Sequence, residues 1–331
     1  MPHSRDSPIR RDGLAVRKER LYRRLLAGSA LLTFLVTVGI VLALIGQTLR
    51  FFGAISPIDY LTGTDWSPLI GDPTYGVLPL VSGTLLITFV SAAIALPIGL
   101  AIAIYLSEYA SNRARSVFKP TLELLAGVPT VIYGYFALVY LTPILDRPLP
   151  LSIPIIPTWT PVLPEYTLVV PSLRTFNVLS ASIVVGLMII PMVSSISEDA
   201  LSAVPDSLRN AAYGVGSTKL DVSTRVVVPA ATSGIVSSYV LALSRAIGET
   251  MAVTIAAGQS PRMPYFPNVL DNLAQSTETI TAAMVNIAQA ESRSGVAFES
   301  MFALGMTLFV ITLIMNVLAE WIRRRYREEY A

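Results

Sequence analysis

The feature that most constrains this chain is its unbroken apolar stretches, several of which approach or exceed the roughly 20 residues needed to cross a bilayer's hydrocarbon core. A soluble core does not require runs of that length. In lipid, each backbone polar group must be bonded inside its own segment, so such runs predict helices. Hydrophobic residues make up 53% of the 331 and charged residues only 14%, against about 25% charged in soluble domains. The chain therefore reads as an all-α polytopic membrane protein. Six spans are expected, at 25–45, 77–107, 121–144, 178–197, 229–258 and 300–322. Pro97, Pro129 and Pro191 fall in or near them, where proline is tolerated and often marks a kink.

Lysine and arginine set the orientation. Eight lie in residues 1–24, three follow the second span (Arg113, Arg115, Lys119), three follow the fourth (Arg209, Lys219, Arg225) and four follow the sixth. The opposite side holds only Arg50, Arg147, Arg174, Arg262 and Arg293, while Arg245 lies within a span. Positive-inside reasoning places both termini in the cytoplasm. The chain then divides into a basic tail (1–24), a first helix with external loop (25–76), a five-helix core (77–322) with a cytoplasmic loop at 198–228, and a second basic tail (323–331). The first span reads as a retained anchor, since its charged leader is long and no small-residue cleavage pattern follows it directly.

The chain has no cysteine and one histidine, His3 in the polar tail. This excludes disulfides and thiol catalysis and argues against histidine-bound metal. Gly214–Gly216 and Lys219 lack the spacing of a phosphate-cradling nucleotide loop, so any ATP must be bound by another polypeptide. No serine or threonine has a plausible base beside it, and no catalytic residue, cofactor or metal site is expected. Eight prolines within 143–171 predict a stiff, extended external insert, and 271–290 reads as an amphipathic helix outside or at the interface.

The loop at 198–228 carries the most information. Pro205-Asp206-Ser207 can open a short helix and Gly216 can end it, because glycine adopts the left-handed C-cap conformation cheaply. Small side chains at Ala211 and Ala212 suit that helix to a groove on another protein. The series Asn210-Ala211-Ala212, Gly216, Val226, Val228, Pro229 keeps the spacing of the coupling loop E-A-A-x3-G-x9-I-x-L-P. The chain here resembles the permeases of ABC importers, with Asn210 departing from the leading glutamate. Tyr75–Leu86, Ala95–Gly99, Leu106–Tyr109, Leu125–Gly134 and Ser244–Thr250 narrow this to the phosphate-specific permeases, and Met251–Val253 with 279–290 to their C-type subunit.

The resemblance implies a type I importer permease fold, with Pro205, Asp206, Arg209, Asn210, Ala211, Ala212, Gly216 and Lys219 facing an ATPase dimer of the PstB type. It also implies a second permease subunit of the PstA type, an external phosphate-binding protein of the PstS type, and inorganic phosphate as cargo. Membrane lipid surrounds the chain; no nucleic-acid partner is expected.

Two charges stand out without any resemblance. Arg245 and Glu249 lie in an apolar span, where an arginine costs about 2.5–3.5 kcal/mol on insertion scales. Four residues apart on one helix, they would share a face and partly neutralise each other. An anion crossing a low-dielectric region needs fixed positive charge, and a guanidinium recognises phosphate oxygens bidentately. In the resemblance, Arg245 contacts the anion and Glu249 tunes that contact, with Thr84, Tyr133 and Thr250 as further pathway candidates. A permease for sulfate or molybdate, a passive anion channel and a membrane-embedded enzyme are the competing readings. The spaced loop disfavours a channel, and an enzyme would have only Arg245 and Glu249 to work with.

Overall fold

The computed structural model describes residues 13–146, 172–265, 269–290 and 294–325. The proline-rich insert therefore lies almost wholly outside the described residues, as do most of the two basic tails. The first helix, α1 (Gly13–Ala54), is followed by α2 (Pro57–Thr62) and a two-stranded antiparallel hairpin, β1 (Trp66–Ser67) with β2 (Thr74–Tyr75). Next comes α3 (Leu78–Ile104), prolonged by a π-helical turn at Tyr105–Tyr109, and then α4 (Asn112–Ala126). After α5 (Thr130–Phe136), a second π-turn (Ala137–Leu141) leads to α6 (Thr142–Leu145). Beyond the insert lie α7 (Val178–Ser202), α8 (Asp206–Gly214), α9 (Lys219–Val222), a third π-turn (Ser223–Val227) and α10 (Val228–Ala230). The remainder is α11 (Thr232–Ile247), α12 (Met251–Ala256), α13 (Val269–Ala274), α14 (Ile280–Gln289) and α15 (Val296–Arg325).

Four helical stretches are long and apolar enough to cross a membrane: Lys18–Ala54, Leu78–Tyr109, Val178–Ser202 and Val296–Ile322. They contain or closely match four of the expected spans. The expected span at 121–144 is not a straight rod. It divides between α4 and the Thr130–Leu145 stretch, and the two halves meet at 87°. Pro129 stands at the bend as the residue that caps α5, its ψ of 133° taking the backbone out of the helical region. The span at 229–258 is also broken: Lys219–Ala230 and α11 meet at 71°, and α11 stops at Ile247 before α12 begins.

The centre is α3 packed along α7, with α11 and α12 beside them. Ala95, Val185, Met188, Ile189 and Val193 are buried at this contact. Small residues allow the close approach: a Cβ on Gly99 would stand 2.6 Å from Val193, and one on Gly134 would stand 2.9 Å from Ala252. Such contacts are the usual currency of helix association in lipid, where dispersion rather than water exclusion drives packing. A second cluster joins the end of α1 (Phe51) to Tyr60, Trp66, Leu80, α14 and α15. Tyr60 bonds Thr307 across it at 2.8 Å. Most of α1, by contrast, is exposed along its length, and its Ser29, Thr33 and Thr37 hydroxyls bond back to carbonyls one turn earlier. Those three hydroxyls need no partner from the lipid.

The expected amphipathic helix at 271–290 is two helices, α13 and α14, with an extended link at 275–279. It does not lie on a surface. Ile280, Thr281, Ala282, Ala283 and Ile287 are buried, and α14 packs on α15 and α3.

Candidate functional site: a helix break and a coupling surface

The expected transport residues gather where α11 gives way to α12. Arg245 occupies the last turn of α11, its side chain exposed. A cation there is favoured by the partial negative charge of the helix C-terminus. Glu249, 7% exposed, follows the break and accepts from the Ala252 N–H at 3.1 Å, satisfying a free donor at the start of α12. The helical pairing expected of Arg245 and Glu249 is therefore not formed. The helix ends between them, each charge is met by a helix end, and among the described residues Arg245 has no carboxylate within 4.0 Å.

The link before α14 clasps this break. Thr281 Oγ1 donates to Glu249 O at 2.8 Å, and the Ile280 N–H donates to Thr84 Oγ1 at 3.0 Å. Thr84 also donates to Leu80 O at 2.8 Å and is 2% exposed, so its one hydroxyl proton is committed and its oxygen joins α3 to α14. Thr250 donates to Gly248 O at 3.2 Å, and its own carbonyl anchors Thr254. Tyr133 reaches across the 87° bend to donate to Leu125 O at 3.0 Å. Thus Glu249, Thr250 and Thr84 converge on one junction, Arg245 borders it, and Tyr133 braces a neighbouring bend.

Sequence reasoning missed Glu278 in the same link. It is 3% exposed and accepts from Asn286 Nδ2. Burial pushes its carboxyl up to about 7, against the Asn286 hydrogen bond. The backbone beside it touches α3 so closely that a Cβ on Gly83 would stand 2.4 Å from Glu278 O. The -Glu278-Thr279- pair ahead of an apolar segment was the available signal.

The second surface lies around α8. No α8 residue is buried; Asn210 and Ala211 are exposed and Ala212 half-buried. Val215 is 84% exposed, and Gly216 takes the expected left-handed backbone at φ 87°. Pro205 and Asp206 open the helix as the sequence suggested, with Asp206 in its first turn.

Arg209 turns inward instead. It bonds Glu108 at 3.0 Å, Leu201 O at 2.8 Å, Asp206 at 3.2 Å and Val204 O. Lys219 sits over the Tyr109 ring, 5.0 Å from its centroid. The π-turn that ends α3 is therefore fastened to α8 through Arg209 and to α9 through Lys219. Beside it, Glu198 is fully buried and takes Arg115, Lys119 (2.8 Å) and Ser202 (2.9 Å), while Lys119 also reaches Asp199 at 2.6 Å.

An exposed helix bolted to the ends of two spans, below a broken helix in the middle of the fold, is the arrangement of an importer permease. The chain aligns with a bacterial alginate ABC transporter in complex with alginate pentasaccharide-bound periplasmic protein, at a TM-score of 0.59 and 15% identity over 93% of this chain and 96% of that one. An inward-facing methionine ABC transporter aligns at 0.52 over 76% and 95%. These likenesses concern the fold alone. Residues 95–328 match the family described as "binding-protein-dependent transport system inner membrane component". The phosphate transport system permease protein PstC of Mesorhizobium japonicum is 31% identical over 97% of this chain and 94% of its own length. The PstC of Haemophilus influenzae is 31% identical over 91% of each. A probable ABC transporter permease of Bacillus subtilis, YqgH, is 31% identical over 92% and 90%. The chain belongs to the binding-protein-dependent ABC permeases and, within them, to the PstC type. It is a multi-pass prokaryotic membrane transport component.

Proposed function

We propose that this chain is one permease half of an ATP-driven importer of inorganic phosphate, held in the plasma membrane with six spans and both termini cytoplasmic. The two bent helix pairs each count as one span in that reading. The observation that carries it is Arg245: an exposed guanidinium at a helix break within an apolar fold, without a carboxylate partner in the described chain. A permanently charged, bidentate donor so placed is suited to an anion in transit. Glu249 lies across the break and keeps that binding weak enough for release. Thr250 borders the path; Thr84 and Tyr133 serve it by holding helices in place.

A second, PstA-type permease closes the path at its interface with this chain. An external PstS-type binding protein delivers phosphate. A PstB-type ATPase dimer receives Asn210, Ala211, Ala212 and Gly216 and supplies all ATP chemistry; this chain carries no cofactor of its own. The segment 198–228 is the coupling loop, and the basic tails at 1–24 and 323–331 are assigned to the same side of the membrane.

The test is ATP-dependent uptake of radiolabelled phosphate into vesicles holding the assembled complex and its binding protein, challenged with sulfate or molybdate. Phosphate uptake that needs ATP and resists both competitors supports the reading. Preference for a competitor reassigns the cargo, and uptake without ATP points to a channel. Arg245→Ala is expected to abolish uptake while the complex still assembles; normal transport by that variant would remove Arg245 from the path.

A further inference from the structure

On the external side, by the distribution of arginines, three segments meet: 173–178 entering α7, 256–262 leaving α12, and 272–277 between α13 and α14. Backbone bonds knit them together. The Arg174 N–H donates to Ala274 O at 3.0 Å, Asn177 to Ala256 O at 3.1 Å, Val178 to Gln275 O at 3.0 Å, and Thr277 to Ala257 O at 3.0 Å. Asn272 brackets Tyr265, accepting from its N–H at 2.8 Å and donating to its carbonyl at 2.9 Å. Leu173 donates to Asp146 Oδ1 at 2.8 Å. Gly258 makes the crossing possible: its φ is 87°, and a Cβ there would come within 3.0 Å of Phe176. The result is a rigid platform rather than a loose loop.

This platform carries two guanidiniums. Arg174 is exposed and Arg262 half-buried. Arg262 Nη1 donates to Gln275 Oε1, on the residue next to the one that holds the Arg174 backbone. Among the described residues neither arginine has a carboxylate within 4.0 Å. Burial, with the Arg174 charge beside it, holds the Arg262 guanidinium below its ordinary pKa. Two adjacent cations on a fixed scaffold, one recessed and neither neutralised, are an arrangement that an oxyanion relieves. Each guanidinium can offer a planar pair of N–H groups, which suits a tetrahedral anion better than a single point charge would. The platform leads straight into α12, whose six residues, at about 1.5 Å each, span about 9 Å to the break beside Arg245.

We propose that Arg174 and Arg262, with Gln275 aiming Arg262, form an oxyanion-receiving site at the outer mouth of the path, where phosphate is held before it reaches Arg245. The site rests on the reading of this chain as a phosphate importer and adds the place where the anion first binds. Its occupant is free inorganic phosphate and not an acidic side chain of the delivering protein, because the recessed guanidinium is held by a neutral amide within the platform.

The test uses the whole complex in detergent and in vesicles. Phenylglyoxal labelling of individual arginines is followed by mass spectrometry with inorganic phosphate, with chloride at equal ionic strength, or with phosphate-free binding protein. Phosphate, and not chloride, is expected to slow labelling of Arg262 and Arg174 by about threefold or more. Arg174→Gln with Arg262→Gln is expected to lower uptake about tenfold at limiting phosphate, a loss near 1.4 kcal/mol of anion capture, with assembly unchanged. Labelling indifferent to phosphate, protection by the phosphate-free binding protein alone, or normal uptake by the double variant would each overturn the site. The parent reading fails differently: if the wild-type complex took up no phosphate while phosphate still protected Arg262, the importer reading would fall and the site would stand.

Discussion

The two ends of the molecule treat charge in opposite ways. At the end that carries α8, charges that join helices are paired: Glu198 with Arg115 and Lys119, and Glu108 with Arg209. Along the break and the outer platform, Arg245, Arg174 and Arg262 have no carboxylate in reach among the described residues. A paired, buried charge holds two elements at one separation and passes on force. An unpaired guanidinium on a rigid support is free to exchange one anion for another. The same residue type is thus a fastener at one end and, in the proposed function, a binding group at the other.

That contrast is most severely tested at Glu198. Glu198→Ala removes a fully buried carboxylate that joins α4 to α7 and with it its bonds to Arg115, Lys119 and Ser202, each charge-assisted bond worth about 1.5–3 kcal/mol; Arg115 and Lys119, both partly exposed, then turn to water. Little folded protein should be extractable from membranes; normal yield would show that the cluster is not a fastener. Arg209→Ala comes next. It removes bonds to two carboxylates, Glu108 and Asp206, and to two carbonyls, each charge-assisted bond worth about 1.5–3 kcal/mol. ATP hydrolysis by the complex should persist while phosphate uptake falls about tenfold or more, and parallel loss of both would place Arg209 in assembly instead.

Glu278 sharpens the comparison from the acid side. Its carboxyl, raised from 4.5 to about 7, favours the folded state while protonated. Stability from this group is fully present below about pH 4.5 and is lost as pH rises through about 7. The thermal midpoint of the detergent-solubilised protein should fall between about pH 5 and 8, and Glu278→Gln should flatten that slope. An unchanged slope would assign the pH response elsewhere. The smallest effect belongs to Lys219→Gln. A cation over an exposed aromatic ring is worth about 0.5–1 kcal/mol, so uptake should drop by no more than a few-fold, and a larger loss would mean that Lys219 does more than rest on Tyr109.

Much of the fold was readable in advance, and the misreadings have physical causes. The span at 178–197 corresponds to Val178–Ser202 because α7 is apolar on nearly all sides and runs without a break. The α8 helix was legible from Pro205 to Gly216 because its signals are local, one at each end. Pro129 marks a kink in the sequence, but the 87° size of the bend does not show there, because hydropathy sums over a turn and registers no direction. The same averaging hid the break after Ile247, and with it the reason that Arg245 and Glu249 do not share a face. The stretch 271–290 reads as one amphipathic helix because nothing in its pattern marks the extended link at 275–279, and Ala282 and Ala283, though buried, carry too little hydrophobicity to reveal the burial of α14. The Glu198 cluster brings together residues 79 and 83 apart in sequence. Counting arginines for topology treats each as a marker of sidedness and discards its partner. At the helix break, the sequence identified Arg245 and Glu249 as unusual, while only the fold brings residues 279–281 against them.

The pairing of α1 with α15 bears on how the protein is made. Tyr60 and Thr307, which bond across the cluster joining these helices, are 247 residues apart. At about 5–20 residues per second of synthesis, some 10–50 s separate the appearance of one from that of the other. Through that interval α1 has inserted without its partner, held only by the match between its apolar surface and the lipid. Its hydroxyls, already turned back onto their own backbone, suit a helix that must wait alone. The last span to leave the ribosome is the one that closes the first into place.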